Sequence, residues 1–555
     1  MGWRSYGTDT IPPVPPSLRP NRETLLFWIL LALHLLPIWI FPFIPTQDGP
    51  GHQAVTFILR QYDHPAAGLL RQYFLPNQEA LPNWFIFFLM GRVLGFVSVP
   101  MAEKILLTAY VFLLPLSARY ALRAIDPRAG FLAVLAFPFL YNFMFNMGFF
   151  NFCFSLAAFF FAVGYWLKHA ERMGPGRTMV LALLMLWVYF CHPVTLVMAI
   201  AALMTLAGWR MLLDLLAAPE RRFAPAALWR GFRRWLLAPA LACLPPLILT
   251  ASFMGSRSGS RIVMLPMWVK IKHLAGLYSL ASLSIWTIPL AIALAFLFYA
   301  VAALCLRARR GGALQTGDGL LLTVGVLTVA FFAAPNQLSG GGFVNHRLVL
   351  FPFLTAILWF GTFEHPVRRR LRVQLAAAGI ALAFLGLFAW EYRQTDRLLS
   401  EIVAAGDFIE PDHTFLFLSY AHQGEDGKGG KTTFRTWPFV HAGGYLAARK
   451  RLVDLSLYEA KEDYFPFYFR PALNPFFLLA ANPLGIESHP PDVDLLGYQR
   501  RTGGSVDYVM LWGLRDELRG DPKVRAVLGQ LAAAYDLIHR TRDGRVLLYK
   551  RRPPI

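Results

Sequence analysis

Long runs without a formal charge constrain this chain more than any other feature. Residues 25–44, 129–167, 178–209, 236–254, 274–306 and 320–345 contain no Asp, Glu, Lys or Arg. A helix needs ~20 apolar residues to cross the hydrocarbon core of a bilayer. Each run therefore suffices for about one pass, and the longest for two. In lipid the backbone must satisfy its own hydrogen bonds, so these runs are helices rather than loops. A transmembrane barrel would instead show weak alternating segments, which are absent. The expected fold is a polytopic α-helical membrane protein with roughly eleven to thirteen transmembrane helices. Charge rises and apolar runs shorten beyond residue 391, where a C-terminal α/β domain is expected.

The formal charge of +20 could suggest a nucleic-acid partner, but its placement argues for none. Arg and Lys cluster at the ends of apolar runs, as in Arg307 to Arg310, Arg368 to Arg370 and Arg221 to Arg234. That is the pattern of loops that set topology. Cys153, Cys191, Cys243 and Cys305 all lie in apolar runs, so no disulfide framework is offered to the C-terminal part. The Pro-rich residues 1–24 read as a disordered cytoplasmic N-terminus. The run 25–44 is too long for a signal-peptide core and reads as a retained first helix.

Charge also predicts sidedness. If the basic segment 368–372 is cytoplasmic, the single run after it delivers residues 392–555 to the outside. The same rule puts 336–346, the His192-Pro193 turn and the 142–151 turn outside. Counted from the N-terminus, Asp48 is outside as well. The two counts disagree by one crossing, because 81–99 and 102–117 both look like spans. The stretch 81–99 is the weaker, since it contains Arg92 and opens Leu81-Pro82-Asn83-Trp84.

The outer segments are where chemistry is expected. The first outer loop, 45–80, begins Pro45-Thr46-Gln47-Asp48-Gly49-Pro50-Gly51-His52. It brings a carboxylate and an imidazole to a membrane surface. Asp48 is a candidate general base, although Asp-Gly-Pro is also a natural turn and Asp caps helices well. His52 would orient that base, join a metal shell, or simply be a satisfied interfacial histidine. Residues 53–75 look like an amphipathic surface helix. It carries Arg60-Gln61-Tyr62 and Arg71-Gln72-Tyr73 about three turns apart. Arg261 and Lys270 lie in a basic outer loop, where a phosphate ligand or plain solvation would account for them. Asn146 would hold sugar hydroxyls or cap backbone. Arg347, beside His346, would meet a phosphate or snorkel to the interface.

Three stretches resemble the GT-C superfamily of membrane glycosyltransferases, the class of the protein O-mannosyltransferases and the aminoarabinose transferase of lipid A. One is the first loop, Gln47-Asp48-Gly49-Pro50. Another is Leu81-Pro82-Asn83-Trp84 followed by Leu94-Gly95 and Ala102-Glu103. The third is Asn345-His346-Arg347-Leu348 through Phe351-Pro352. The resemblance implies a GT-C-like transmembrane domain over 25–391 and an extracytoplasmic α/β domain over 392–555. It implies an integral protein of a bacterial inner (plasma) membrane. Its donor would be a polyprenyl-phosphate sugar drawn from the membrane lipid, and the acceptor is open. Asp48 and His52 would be catalytic, with Arg347, His346, Arg261, Lys270 and Asn146 binding substrate. No cofactor is required, though a divalent metal is compatible. The chain departs from the pattern in lacking a second acid beside Asp48 and any carboxylate in the 142–151 turn. Should Asp48 not be the base, Asp63, Glu79 and Glu103 are the other acids near that surface.

Two further readings compete: a transporter or flippase for a lipid-linked or anionic solute, and a non-catalytic membrane scaffold. Transporters carry ionisable groups at midplane and internal repeats. The midspans here are nearly free of charge.

Overall fold

The computed structural model describes residues 22–79, 81–217, 224–255, 262–280, 287–309, 314–337, 341–425 and 430–553. The N-terminal Pro-rich segment and Arg261 lie outside them. Among the described residues, seven helices are long and apolar enough to cross a membrane: Arg22–Ile40, Val99–Ile125, Phe150–Arg172, Pro193–Leu216, Pro225–Gly255, Ile288–Arg309 and Val367–Phe408. Shorter apolar helices add Pro127–Phe139, Pro175–Cys191, Asp318–Ala333 and Val344–Phe360. The expected number of crossings is approached only when these shorter helices are counted with the long ones.

The stretch 81–99 does not form a spanning helix. It holds only Phe85–Phe88 and a wide turn at Leu89–Val93, about 14 Å of rise against a ~30 Å core. Asn83, with φ of 67°, breaks the backbone just before it. With this stretch short, Val99–Ile125 leads from the Asp48 end of the bundle to the opposite, basic end.

The expected surface helix over 53–75 is also corrected. It is two helices, Gly49–Gln61 and Gly68–Tyr73, and residues Gly49 to Ile58 are all buried. The two Arg-Gln-Tyr triplets share no helix face. Arg60 donates to the carbonyls of Met90, Leu94 and Val97. Arg71 donates to those of Tyr62, His64 and Pro65. Both arginines close loop backbone.

The C-terminal domain is what covers that first loop. Its five-stranded sheet runs in the order Val453–Asp454, Thr414–Ser419, Tyr508–Trp512, Val546–Arg551, Tyr535–Arg540. The first three strands are parallel and the last two join antiparallel. The Pro522–Ala534 helix leads directly into the closing hairpin of the last two strands. The helix Gly443–Lys450 packs against Gly49–Gln61. Strand Phe74–Pro76 of the first loop pairs antiparallel with Phe467–Phe469 of the domain. The last long helix, Val367–Ala404, runs without interruption from the basic segment into the domain.

Candidate functional site

The Asp48 loop is fixed from several sides. The first helix ends at Ile40, and the chain then runs in bends to Asp48. Asp396, on the last long helix, accepts a hydrogen bond from Phe43 N at 2.7 Å. Lys104 donates to the Phe41 carbonyl at 2.9 Å. The 142–151 turn supplies two more anchors, since Gln47 N donates to Asn146 O and Asp48 N to Met147 O. Gly148 permits this approach. Its φ is +86°, and a Cβ there would stand 2.8 Å from Asp48 N.

Asp48 occupies the N-cap position of Gly49–Gln61, yet its carboxylate makes no capping hydrogen bond. The capping explanation for this residue therefore falls away. The residue is 5% exposed, and its Oδ1 lies 3.7 Å from His441 Nε2. The same nitrogen is 4.0 Å from Glu487 Oε1. His441 is thus held between two carboxyls in contact, beyond hydrogen-bond length. Its ring stacks on Tyr458 with centroids 5.4 Å apart. His52 does not orient Asp48 as expected; its Nε2 faces Glu459 Oε1 at 4.0 Å. Its ring packs edge-on against Phe87 and Phe150. Beneath this layer Gln53 donates to Glu103 at 2.7 Å, which gives Glu103 a structural partner. Asp63 and Glu79 are exposed.

Arg347 comes to the same place. Its helix, Val344–Leu348, starts after Phe343 in a left-handed conformation. The buried guanidinium lies 4.6 Å from the centre of the Phe149 ring and donates to Gly342 O. Its positive charge acts on Asp48 and on Tyr458. His346 sits beside it, 4.6 Å ring to ring from His273. Arg435, from the C-terminal domain, slots its guanidinium between Tyr278 at 3.5 Å and Phe143 at 3.9 Å. It donates to the Tyr278 carbonyl, and its charge reaches His346.

Burial sets the protonation of this cluster. Asp48 is pushed up to about 8, first by burial and then by the charge of Glu487; Gln47 and Arg347 pull it back. Burial raises Glu487 to about 7 and holds Glu459 well above the ordinary carboxylate range, with Asp48 adding to it. Burial lowers His441 and His52 to about 3 each. Near neutral pH the imidazoles are uncharged and the carboxyls retain much of their protons. Several of these buried atoms accept or donate no hydrogen bond: both Glu459 oxygens, Glu487 Oε1, Arg347 Nε and the Nδ1 atoms of His52, His346 and His441. Buried polar atoms are nearly always paired in folded proteins, so this cluster has hydrogen-bonding capacity left for water or for polar ligand groups. Among the described residues no three His, Cys, Asp or Glu side chains are arranged to hold a metal ion.

Two expected ligand contacts are corrected. Asn146 donates to Tyr141 O and Asn142 O and accepts from Tyr392 Oη at 2.6 Å, so it is a backbone and helix tie. Lys270 is 1% exposed. Its ammonium donates to Phe332 O and Ala334 O at 2.8 and 2.7 Å, closing the end of Asp318–Ala333. Replacing Lys270 by Met should lower stability by about 1–3 kcal/mol, the cost of stranding a buried carbonyl. Substrate KM should stay unchanged; a thermal melt beside a kinetic assay checks both.

Sequence reading missed His441, Tyr458, Glu459, Glu487 and Arg435. All belong to the C-terminal domain, and no short spacing ties them to Asp48. The contact between Gln47 and Trp437 spans 390 residues. No local signal in the sequence pointed to them. No protein-family model matches this chain, and no curated protein matches it.

Proposed function

We propose that this protein is a membrane glycosyltransferase that moves a sugar from a polyprenyl-phosphate donor to an acceptor at the outer membrane face. The carrying observation is Asp48 itself. It is buried, freed from capping, in contact with His441, and within the field of Arg347.

In this reading the acceptor hydroxyl or amine attacks the anomeric carbon of the donor. The new bond from C1 to the acceptor forms as the bond from C1 to the phosphate oxygen breaks. The acceptor proton passes to the Asp48 carboxylate. Polyprenyl phosphate leaves with the electron pair, and the charge on its oxygens is met by Arg347, with Arg435 behind it. His441 is a positioning residue that keeps the carboxylate aimed. Glu459 and Glu487 supply the acid that the first loop lacks and offer oxygens to sugar hydroxyls. The raised proton affinity of Asp48 suits a base, since a proton acceptor works best with a pKa near the working pH.

Arg347→Ala should raise donor KM by about ten- to a hundredfold, the worth of a charge-assisted hydrogen bond, with a smaller effect on kcat. The reading itself is tested with purified full-length protein in vesicles and a panel of radiolabelled polyprenyl-phosphate hexoses and aminopentoses. At least one donor should be consumed with release of polyprenyl phosphate. Donor that only equilibrates across the bilayer, unconsumed, would favour the flippase reading instead.

A further inference from the structure

The end of the bundle opposite Asp48 carries a charged cavity that the transfer reaction does not use. It measures about 1670 Å³ and lies between the start of the first helix and the far ends of Val99–Ile125, Phe150–His169 and Pro193–Leu216. Glu103 and Arg119 stand on the same helix, about 24 Å apart along its axis. The two places are therefore separate.

Among the described residues its charges do not balance: six cations line it against Asp126, Asp214 and Glu364. Arg128 pairs with Asp126 and Arg234 with Asp214, both at 3.2 Å, and Arg210 pairs with Glu171 at 2.6 Å. Arg119 and Lys168 have aromatic rather than acidic neighbours. The Arg119 guanidinium lies 4.8 Å from the Phe27 ring centre, and Lys168 Nζ lies 5.6 Å from that of Tyr120. One Arg119 nitrogen donates to Thr24 Oγ1 at 3.1 Å, while its Nε is buried with no partner. Arg123 follows one turn later on the same face. A snorkelling arginine would send its whole head group to water; this one keeps Nε inside the protein, beside a cavity wall.

The apolar flank of the cavity decides between ligand sources. Trp28 and Leu116 line it, and Trp28 is 42% exposed on the outside of the bundle, next to the half-exposed Phe112. Tryptophan favours the membrane–water interface. A basic pocket beside such a residue is reached from the bilayer, and basic pockets between transmembrane helices take up anionic headgroups.

We propose that Arg119, Arg123 and Lys168 bind the phosphate headgroup of an anionic membrane lipid in this basic-end vestibule. The headgroup phosphate sits among the three cations and the acyl glycerol lies along Trp28 and Leu116. The inference stands apart from the transfer reaction.

The test is thermal unfolding of the full-length protein in neutral detergent. Dioleoyl phosphatidylglycerol, dioleoyl phosphatidylcholine or inorganic phosphate is added. Phosphatidylglycerol should raise Tm by several degrees, phosphatidylcholine should not, and 0.5 M salt should weaken the effect, as screening of charge requires. The double variant Arg119→Gln/Arg123→Gln should need at least tenfold more lipid for the same shift. Lys168→Gln, on a different helix, gives the same reading should the double variant fold poorly. Equal shifts in wild type and variants would overturn the site. Inorganic phosphate matching the lipid would overturn the assignment to a lipid.

Discussion

Asp48→Asn should lower the turnover of the proposed transfer by roughly two to four orders of magnitude, the usual worth of a positioned general base. The substitution keeps the shape of the side chain and removes only its ability to take a proton. Because Asp48 makes no capping hydrogen bond, no helix cap is lost with it. Stability gives an independent check. Burial raises the folded-state pKa of Asp48 from 3.8 to about 8, so the folded protein binds a proton there that the unfolded chain has released. The contribution is complete below about pH 4, shrinks as pH rises, and is lost as pH passes through the folded value. Asn never ionises. The melting temperature of Asp48→Asn should therefore fall less than that of wild type between pH 6 and pH 9. A variant that loses activity and also melts early at every pH would point to a structural role.

The second large effect is expected at Gly444. A Cβ there would stand 2.3 Å from Pro50 O and 2.8 Å from Gly51 N, and both are backbone atoms of the first loop. Neither can swing aside like a flexible side chain. Gly444→Ala should push Gly443–Lys450 off Gly49–Gln61, at a cost of about 1–3 kcal/mol or more for overpacking. His441 precedes this helix and would move with it. A ~1 Å misplacement of a residue that aims the reacting groups costs on the order of a hundredfold in rate, so activity should fall by about that much even where the protein still folds. Gly529→Ala is the control. It lies in the Pro522–Ala534 helix with nothing within 4 Å of its added methyl. It should be neutral or stabilise by up to ~1 kcal/mol. Proteolysis of the C-terminal domain in the intact protein, slow in the control and fast in Gly444→Ala, would show the domain loosening from its seat.

The apolar helices and the change of character beyond residue 391 were legible because runs without formal charge are a local feature of the sequence. Asp48 and Arg347 were legible for a different reason. Each is a charged residue beside an apolar run, and only their proximity needed the structure. Three features were not legible. The amphipathic pattern over 53–75 is the same whether its polar face meets lipid headgroups or a second domain, and here Gly443–Lys450 covers it. The change in charge beyond residue 391 reads as a domain boundary, yet Val367–Ala404 runs through it, because the sequence from Leu387 to Ala404 holds no Gly or Pro to stop a helix. The acids Glu459 and Glu487 meet Asp48 only through the docking of a domain hundreds of residues away. No spacing rule reaches across such a distance.

The most direct measurement is the pH dependence of kcat for donor consumption between pH 5.5 and 9.5, in wild type and in Glu487→Gln. A base must be deprotonated to act, so with Asp48 raised to about 8 the wild-type rate should climb about tenfold per pH unit and level off near pH 8. The Glu487 charge is part of what raises Asp48. Glu487→Gln should keep the climb but move its end to lower pH. A rate that stays flat across the range, or an inflection that does not move in Glu487→Gln, would contradict Asp48 as the proton acceptor.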